Sequence, residues 1–214
     1  MMPSAFKLLL AGRIAAALSV LLCLLVQFVN HDFFPPTVSV SQYGLGPRGW
    51  VFTCWTAAVT AAVLALGAGG SVRGARYWLA AGGASLLVMG IVRTDANGLQ
   101  QSVHARVHMA VSVVALVALP VGMALAMSHA STRWRIASWT LVVSSAVSLI
   151  LVLISAAGIS NLGLAAHRSW ALWQSVAITV DMVLLLFLAL SSFPSQLERS
   201  RKLSSRLSSE GHLR

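Results

Sequence analysis

An all-α membrane protein, built as a six-transmembrane-helix bundle with both termini cytoplasmic, is what the sequence predicts, and three observations carry that prediction. The chain of 214 residues is 57% hydrophobic and only 9% charged, with a mean hydropathy of +0.82, whereas soluble domains are roughly a quarter charged. Its apolar runs reach or approach the ~20 residues that cross a ~30 Å hydrocarbon core, and they recur at short intervals. The period-two alternation of an outer-membrane barrel is absent from every one of them.

The first span covers about residues 8–29, with Arg13 near its start. A basic flank ahead of an apolar middle suggests a signal peptide. The run ends in Gln27, Phe28, Val29 and Asn30, however, without the small-residue pair that cleavage needs, and Leu22 ahead of Cys23 is too large for a lipoprotein site. The span is therefore expected to be retained. A loop from His31 to Gly49 follows, broken by HDFFPP and by Gly44, Gly46 and Pro47. Phe33, Phe34 and Tyr43 are expected there as aromatic anchors in the headgroup zone, and Trp50 and Trp55 at the same interface.

The second span covers about 50–66, and a Gly-rich basic turn leads to the third, about 77–92. Gly83 and Gly90, seven apart, share a face on which a neighbouring backbone can approach. The stretch Arg93 to Met109, read as the loop before the fourth span at about 107–127, is where charge, amide and imidazole crowd together within an otherwise apolar chain, in Arg93, Asp95, Asn97, Gln100, Gln101, His104, Arg106 and His108. Pro120 deprives the Leu116 carbonyl of its helical donor, so a bend is expected there.

The fifth span, about 136–157, places Ser138, Ser145, Ser148 and Ser155 on one face, where serines bridge helices at roughly 0.6 to 2 kcal/mol each. The sixth covers about 170–190. Residues 1–192 thus form the transmembrane domain, and 193–214 form a basic Ser/Arg-rich cytoplasmic tail, disordered or lying along the lipid surface. Cys23 and Cys54 fall inside spans and are expected to be packing thiols.

The net charge of +10 points to lipid rather than to nucleic acid, because the basic residues lie in short loops and the tail. With six crossings, eleven of them (Lys7, Arg13, Arg73, Arg76, Arg133, Arg135, Arg199, Arg201, Lys202, Arg206 and Arg214) share the side of the termini. Four (Arg48, Arg93, Arg106 and Arg168) lie opposite. That asymmetry puts the termini in the cytoplasm of a cell whose plasma membrane the chain spans.

The same assignment gathers His31, His104, His108 and His167, four of the six histidines, on the outer face, together with Asp32 and Asp95. His104 and His108 are four apart, a spacing that a metal or haem iron can use, with Asp95, Asp32 or His167 as a third ligand. Haem carriers across a membrane need ligand pairs on both sides, and the inner side offers only His129 and His212. A wet-loop reading, with Arg93 and Asp95 as a surface pair worth under ~1 kcal/mol, and an organic-ligand pocket are the alternatives. No cofactor follows from the sequence.

His167, Gln174 and Asp181 are seven apart and form one stripe. Asp181 lies near mid-bilayer, where a lone acid costs ~2.5 to 3.5 kcal/mol, so it should face the interior, paired or carrying its proton. Serines of the fifth span, or Arg13, are the partners to look for. HExxH, a nucleophile elbow, a phosphate loop and CxxC are all missing.

Ser41 to Gly44 ahead of the second span, Arg93, Thr94 and Asp95 leading to His108 or His104, and Gly163 to Arg168 before the sixth span together resemble the bacterial domain-of-unknown-function 998 family, over about residues 8–190. Where that family often has an acid before the arginine, this chain has His167. The resemblance implies a six-helix membrane architecture with a shared outer polar cluster and no defined reaction. The working expectation is an outward-facing pocket of Asp95, His104, His108, His167 and Arg168, deepened by Gln174 and Asp181, that binds a small molecule or lipid headgroup. A metal-dependent hydrolase acting on lipid, with the histidines and Asp95 as ligands, and a structural partner subunit are the alternatives.

Overall fold

The computed structural model describes residues 4–33, 36–96, 101–156 and 166–191; the basic tail lies outside the described residues. Six helices follow one another: α1 Ser4–Asn30, α2 Gly49–Gly69, α3 Arg73–Ile91, α4 Val103–Ala126, α5 Thr132–Ala156 and α6 Ala166–Ser191. No strand occurs among the described residues. Each helix begins ahead of its apolar run. Hydropathy marks only the part in hydrocarbon, whereas backbone hydrogen bonding continues through a polar first turn, as at Arg73–Arg76 and Thr132–Arg135. The head of the Arg93–Met109 stretch is loop, but from Val103 onward it is already α4. Five helices are long and apolar enough to cross a membrane. The sixth, α3, has 19 residues and carries Arg73 and Arg76 in its first turn.

The end of α1 sets up the loop that follows. His31 adopts φ 53°, its N–H donates to the Phe28 carbonyl at 3.2 Å and the Asp32 N–H donates to the Gln27 carbonyl at 3.4 Å. This is a Schellman ending with histidine where glycine is usual. A Cβ in the left-handed region costs about 1–2 kcal/mol, partly offset by the extra freedom glycine gives the unfolded chain. His31→Gly should therefore raise the free energy of unfolding by about 0.5–1 kcal/mol, seen as a higher thermal midpoint in detergent. A lower midpoint would show that the imidazole holds the turn.

Neighbouring helices run antiparallel, as paired contacts show: Gly12 lies on Leu66, Gly90 on Thr56, Gly82 on Leu119, and Trp134 stacks edge-on with Phe187 at 4.9 Å. The start of α1 and the end of α6 therefore lie at one end of the bundle. Helix α3 is thin enough to sit between two neighbours. Gly83 and Gly90 face α2, as the seven-residue spacing anticipates, while Gly82 meets α4. Hydroxyls of α2 use the close approach: Thr60 donates to the Gly83 carbonyl at 3.0 Å and Thr53 to that of Gly90 at 3.0 Å. Helix α6 is central, touching α1, α2, α4 and α5.

Three expectations are corrected. Tyr43, in a short 3₁₀ turn at Val40–Gly44, is 3% exposed and belongs to the core rather than the headgroup zone, because its hydroxyl has a buried partner in Asp32. Trp55 is 2% exposed, packed on Phe52, whereas Trp50 does face outward; five residues along a helix turn the side chain to another face. Arg13 does not reach toward Asp181: its Nε–H donates to the Ala189 carbonyl at 3.0 Å, in the last turn of α6. A cation there complements the helix dipole. Phe33 is exposed, and Phe34 lies outside the described residues. Pro120 sits buried within α4, which runs unbroken through it. Cys23 and Cys54 are free thiols.

Candidate functional site

Two adjoining cavities lie inside the bundle toward the end opposite the start of α1 and the end of α6. The upper one, about 20 Å³, is bounded by Thr94, His108, Ser112, Trp170 and Gln174 and by apolar side chains of α4 and α5. The deeper one, about 40 Å³, is bounded by Phe52, Trp55, Met89, Ile178 and Asp181 among others. Ser41, Ser112, Leu116 and Gln174 line both, so the two are chambers of one interior space. Each exceeds the ~10–15 Å³ that a water requires.

Among the described residues, four buried side-chain polar atoms have no hydrogen-bond partner: Trp55 Nε1, His108 Nε2, Trp170 Nε1 and Gln174 Oε1. All four residues line these chambers. Leaving such an atom unsatisfied costs about 1–3 kcal/mol, and a water or a ligand group in the adjoining space would supply the partner.

The roles of these atoms follow from their surroundings. His108 Nδ1 lies 2.6 Å from the Val92 carbonyl. A carbonyl only accepts, so Nδ1 carries the proton and, in the neutral ring, Nε2 is an acceptor aimed at the chamber. That bond also ties the start of α4 to the end of α3. Ser112 donates to the His108 carbonyl at 2.7 Å, keeping its acceptor lone pairs. The two tryptophan N–H groups can only donate, and Gln174 Oε1 can only accept. At the floor, Asp181 is 4% exposed and accepts from Ser145 Oγ at 2.8 Å, joining α6 to α5. The serine face of α5 thus bridges helices at Ser145, while Ser138 and Ser148 donate within their own helix.

The residues expected at an outer pocket are divided by the structure. His108, Gln174 and Asp181 converge on the chambers. His104 is exposed while His108 is buried, so the two histidines do not act as one face. Asp95 accepts from the Ser102 N–H at 2.8 Å and from its hydroxyl at 2.6 Å, and Ser102 Oγ in turn accepts from the Ala105 N–H at 3.0 Å. These bonds build the N-cap of α4 and hold the Asp95 carboxyl below the usual carboxylate range. The side chains of His167 and Arg168 lie outside the described residues. Among the described residues no three His, Cys, Asp or Glu side chains are grouped to hold a metal.

Sequence reasoning missed Trp170, Ser112 and Trp55 as site residues, and Ser41 and Thr94 entered only through the family resemblance. Helical spacing could have found two of them, since Trp170 precedes Gln174 by four and Ser112 follows His108 by four. Also missed was the clamp that seats the loop between α1 and α2. The Asp32 carboxylate accepts from the Thr37 N–H at 2.7 Å, the Thr37 hydroxyl at 2.9 Å, the Val38 N–H at 3.2 Å and the Tyr43 hydroxyl at 2.8 Å. Burial pushes this carboxyl up, but the bonds outweigh it and hold it below its ordinary value. Burial first, and then the bond to Asp32, pushes the Tyr43 hydroxyl well above its own. By holding the 3₁₀ turn in place, the clamp sets Ser41 into the chamber wall.

A helical bundle with five apolar helices of membrane-crossing length among the described residues defines a multi-pass integral membrane protein. More particularly, the chain belongs to the family described as protein of unknown function (DUF998), whose model matches residues 13–191, from the first turns of α1 to the end of α6. The curated proteins and the solved structures compared contain no match.

Proposed function

We propose that the protein lies in the plasma membrane with both termini cytoplasmic and that its interior space is an outward-facing pocket for the polar head of a small molecule or lipid. The observation that carries this reading is the convergence of all four unpartnered buried polar atoms, among the described residues, on one pair of chambers. His108 and Gln174 accept from the occupant, Trp170 and Trp55 donate to it, and Asp181 with Ser145 closes the floor. Asp95 and His104 belong to the mouth, where Asp95 keeps α4 properly started. The asymmetry of eleven basic residues to four supports the outward orientation.

Native mass spectrometry of the full chain, released from nanodiscs, tests the pocket. The wild type should retain a small-molecule or lipid adduct that a His108→Phe, Gln174→Leu double variant loses while remaining folded. A wild type that carries no adduct and gains no thermal stability from any member of a lipid and metabolite panel sinks the reading. A reporter fused after Arg214 that is active outside the cell overturns the orientation independently.

A further inference from the structure

The chemistry of the lining restricts what the pocket takes. The described residues around the two chambers include no lysine or arginine, and His108 and Asp181 are the only ones able to carry charge. Asp181 is already engaged by Ser145. Among the described residues of the lining, a phosphate or sulfate head would meet no cation to offset its lost hydration. An ammonium head brings donors alone, leaving both indole N–H groups unanswered. The four unpartnered atoms are two donors and two acceptors. A hydroxyl is a small neutral group that donates and accepts at once, and chambers of about 20 and 40 Å³ admit a head of that size.

The walls also indicate the rest of the molecule. The deeper chamber is apolar apart from its few polar atoms, with Phe52, Leu86, Met89 and Ile178 in its wall. The upper chamber lies at the seam of α4 and α5, between Met109 and Val113 on one side and Leu149, Val152 and Leu153 on the other. Leu149 and Val152 are buried, whereas Leu153 is 41% exposed on the outer surface of the bundle. Helix α5 packs far more closely on α6 than on α4. A chain trailing from the pocket into the membrane would leave along this seam.

Resting on the pocket reading above, we infer that the ligand is an uncharged lipid alcohol: its hydroxyl donates to Gln174 Oε1 or His108 Nε2 and accepts from an indole N–H, and its tail leaves between α4 and α5. The test is binding of tritiated farnesol to the full chain in phosphatidylcholine nanodiscs, with farnesyl phosphate, dioleoylglycerol and dioleoyl phosphatidic acid as competitors. Farnesol should bind saturably, with farnesyl phosphate and phosphatidic acid competing at least about tenfold more weakly than their alcohols, and Gln174→Leu should weaken farnesol about tenfold. Whether unlabelled farnesol or dioleoylglycerol competes better assigns a prenol or a glycerolipid source, and either supports the inference. Leu153→Trp, which narrows the seam and leaves every polar group in place, should weaken binding even if the Gln174 variant does not fold. Equal competition by the phosphate esters overturns the neutral-hydroxyl class while the pocket stands, as does a wild type that carries another adduct and ignores all four probes. Farnesol binding that neither variant changes places the alcohol elsewhere and overturns the inference.

Discussion

Asp32→Ala should lower the free energy of unfolding by about 3 kcal/mol or more, a larger loss than any other single change in the loop between α1 and α2. The carboxylate is 7% exposed and holds two backbone N–H groups and two hydroxyls. Hydrogen bonds to a charged acceptor are each worth roughly 1.5–3 kcal/mol, and the four donors cannot all turn to water once the acceptor is gone. Tyr43→Phe removes one of the four and should lose about 1–2 kcal/mol. The pH dependence has a fixed sign. Because the folded-state value is held below the ordinary carboxylate value of ~3.9, the contribution is present above about pH 4 and is lost as pH falls through the lower folded value. Thermal unfolding of purified protein between pH 3 and 7 should therefore show an acid limb in the wild type that Asp32→Asn lacks. An Asp32→Ala midpoint equal to that of the wild type would remove the clamp from the account of the loop.

Gly90→Ala should destabilise by about 2–3 kcal/mol, although alanine is the better helix former by about 1 kcal/mol. A Cβ at Gly90 would overlap the Thr56 hydroxyl and stand 3.0 Å from its Cβ. Thr56 is fully buried and its hydroxyl donates to the Thr53 carbonyl at 2.9 Å, so it cannot swing aside without losing that bond. Helix α3 must instead move away from α2, and the bond from Thr53 to the Gly90 carbonyl goes with it. Thr56→Ala in the same chain removes the obstructing oxygen. The double variant should recover much of the loss, giving a coupling energy of about 1–2 kcal/mol. Gly74→Ala is the control: nothing lies within 4 Å of its Cβ position, so it should be neutral or slightly stabilising. Equal effects at Gly90 and Gly74 would mean that α2 and α3 are not in close contact in the membrane.

Much of the candidate site was legible in outline. Gln174 and Asp181 share a buried stripe because seven residues make two helical turns, and an acid in hydrocarbon has nowhere to point but inward. His108 was visible as a polar residue at the head of a span. Its companion His104, one turn nearer the end, faces water instead, and the apolar content of the next few residues does not reveal where the membrane surface cuts the helix. Asp95 was read as a ligand because it is an acid in a polar loop, yet it stands where Ser102 starts α4, and capping absorbs it. Trp55, Tyr43 and Trp170 look alike in composition to interfacial aromatics. Only their positions around the helix axis separate a core side chain from a headgroup anchor.

By itself the sequence determined that the chain is a helical membrane bundle, where its apolar runs lie, and that an acid and an amide of the last span face inward. Hydropathy and the period of 3.6 are local properties that each segment carries without its neighbours. Tertiary structure alone decided that Asp32 clamps the loop between α1 and α2, that Arg13 caps the far end of α6, and that residues of the 3₁₀ turn, α2, α4 and α6 line one space. Such meetings join residues up to 176 positions apart in sequence, as Arg13 and Ala189 are. They depend on which helix faces pack, a choice set by the thinness of α3 and the complementarity of all six helices together, which no single run encodes.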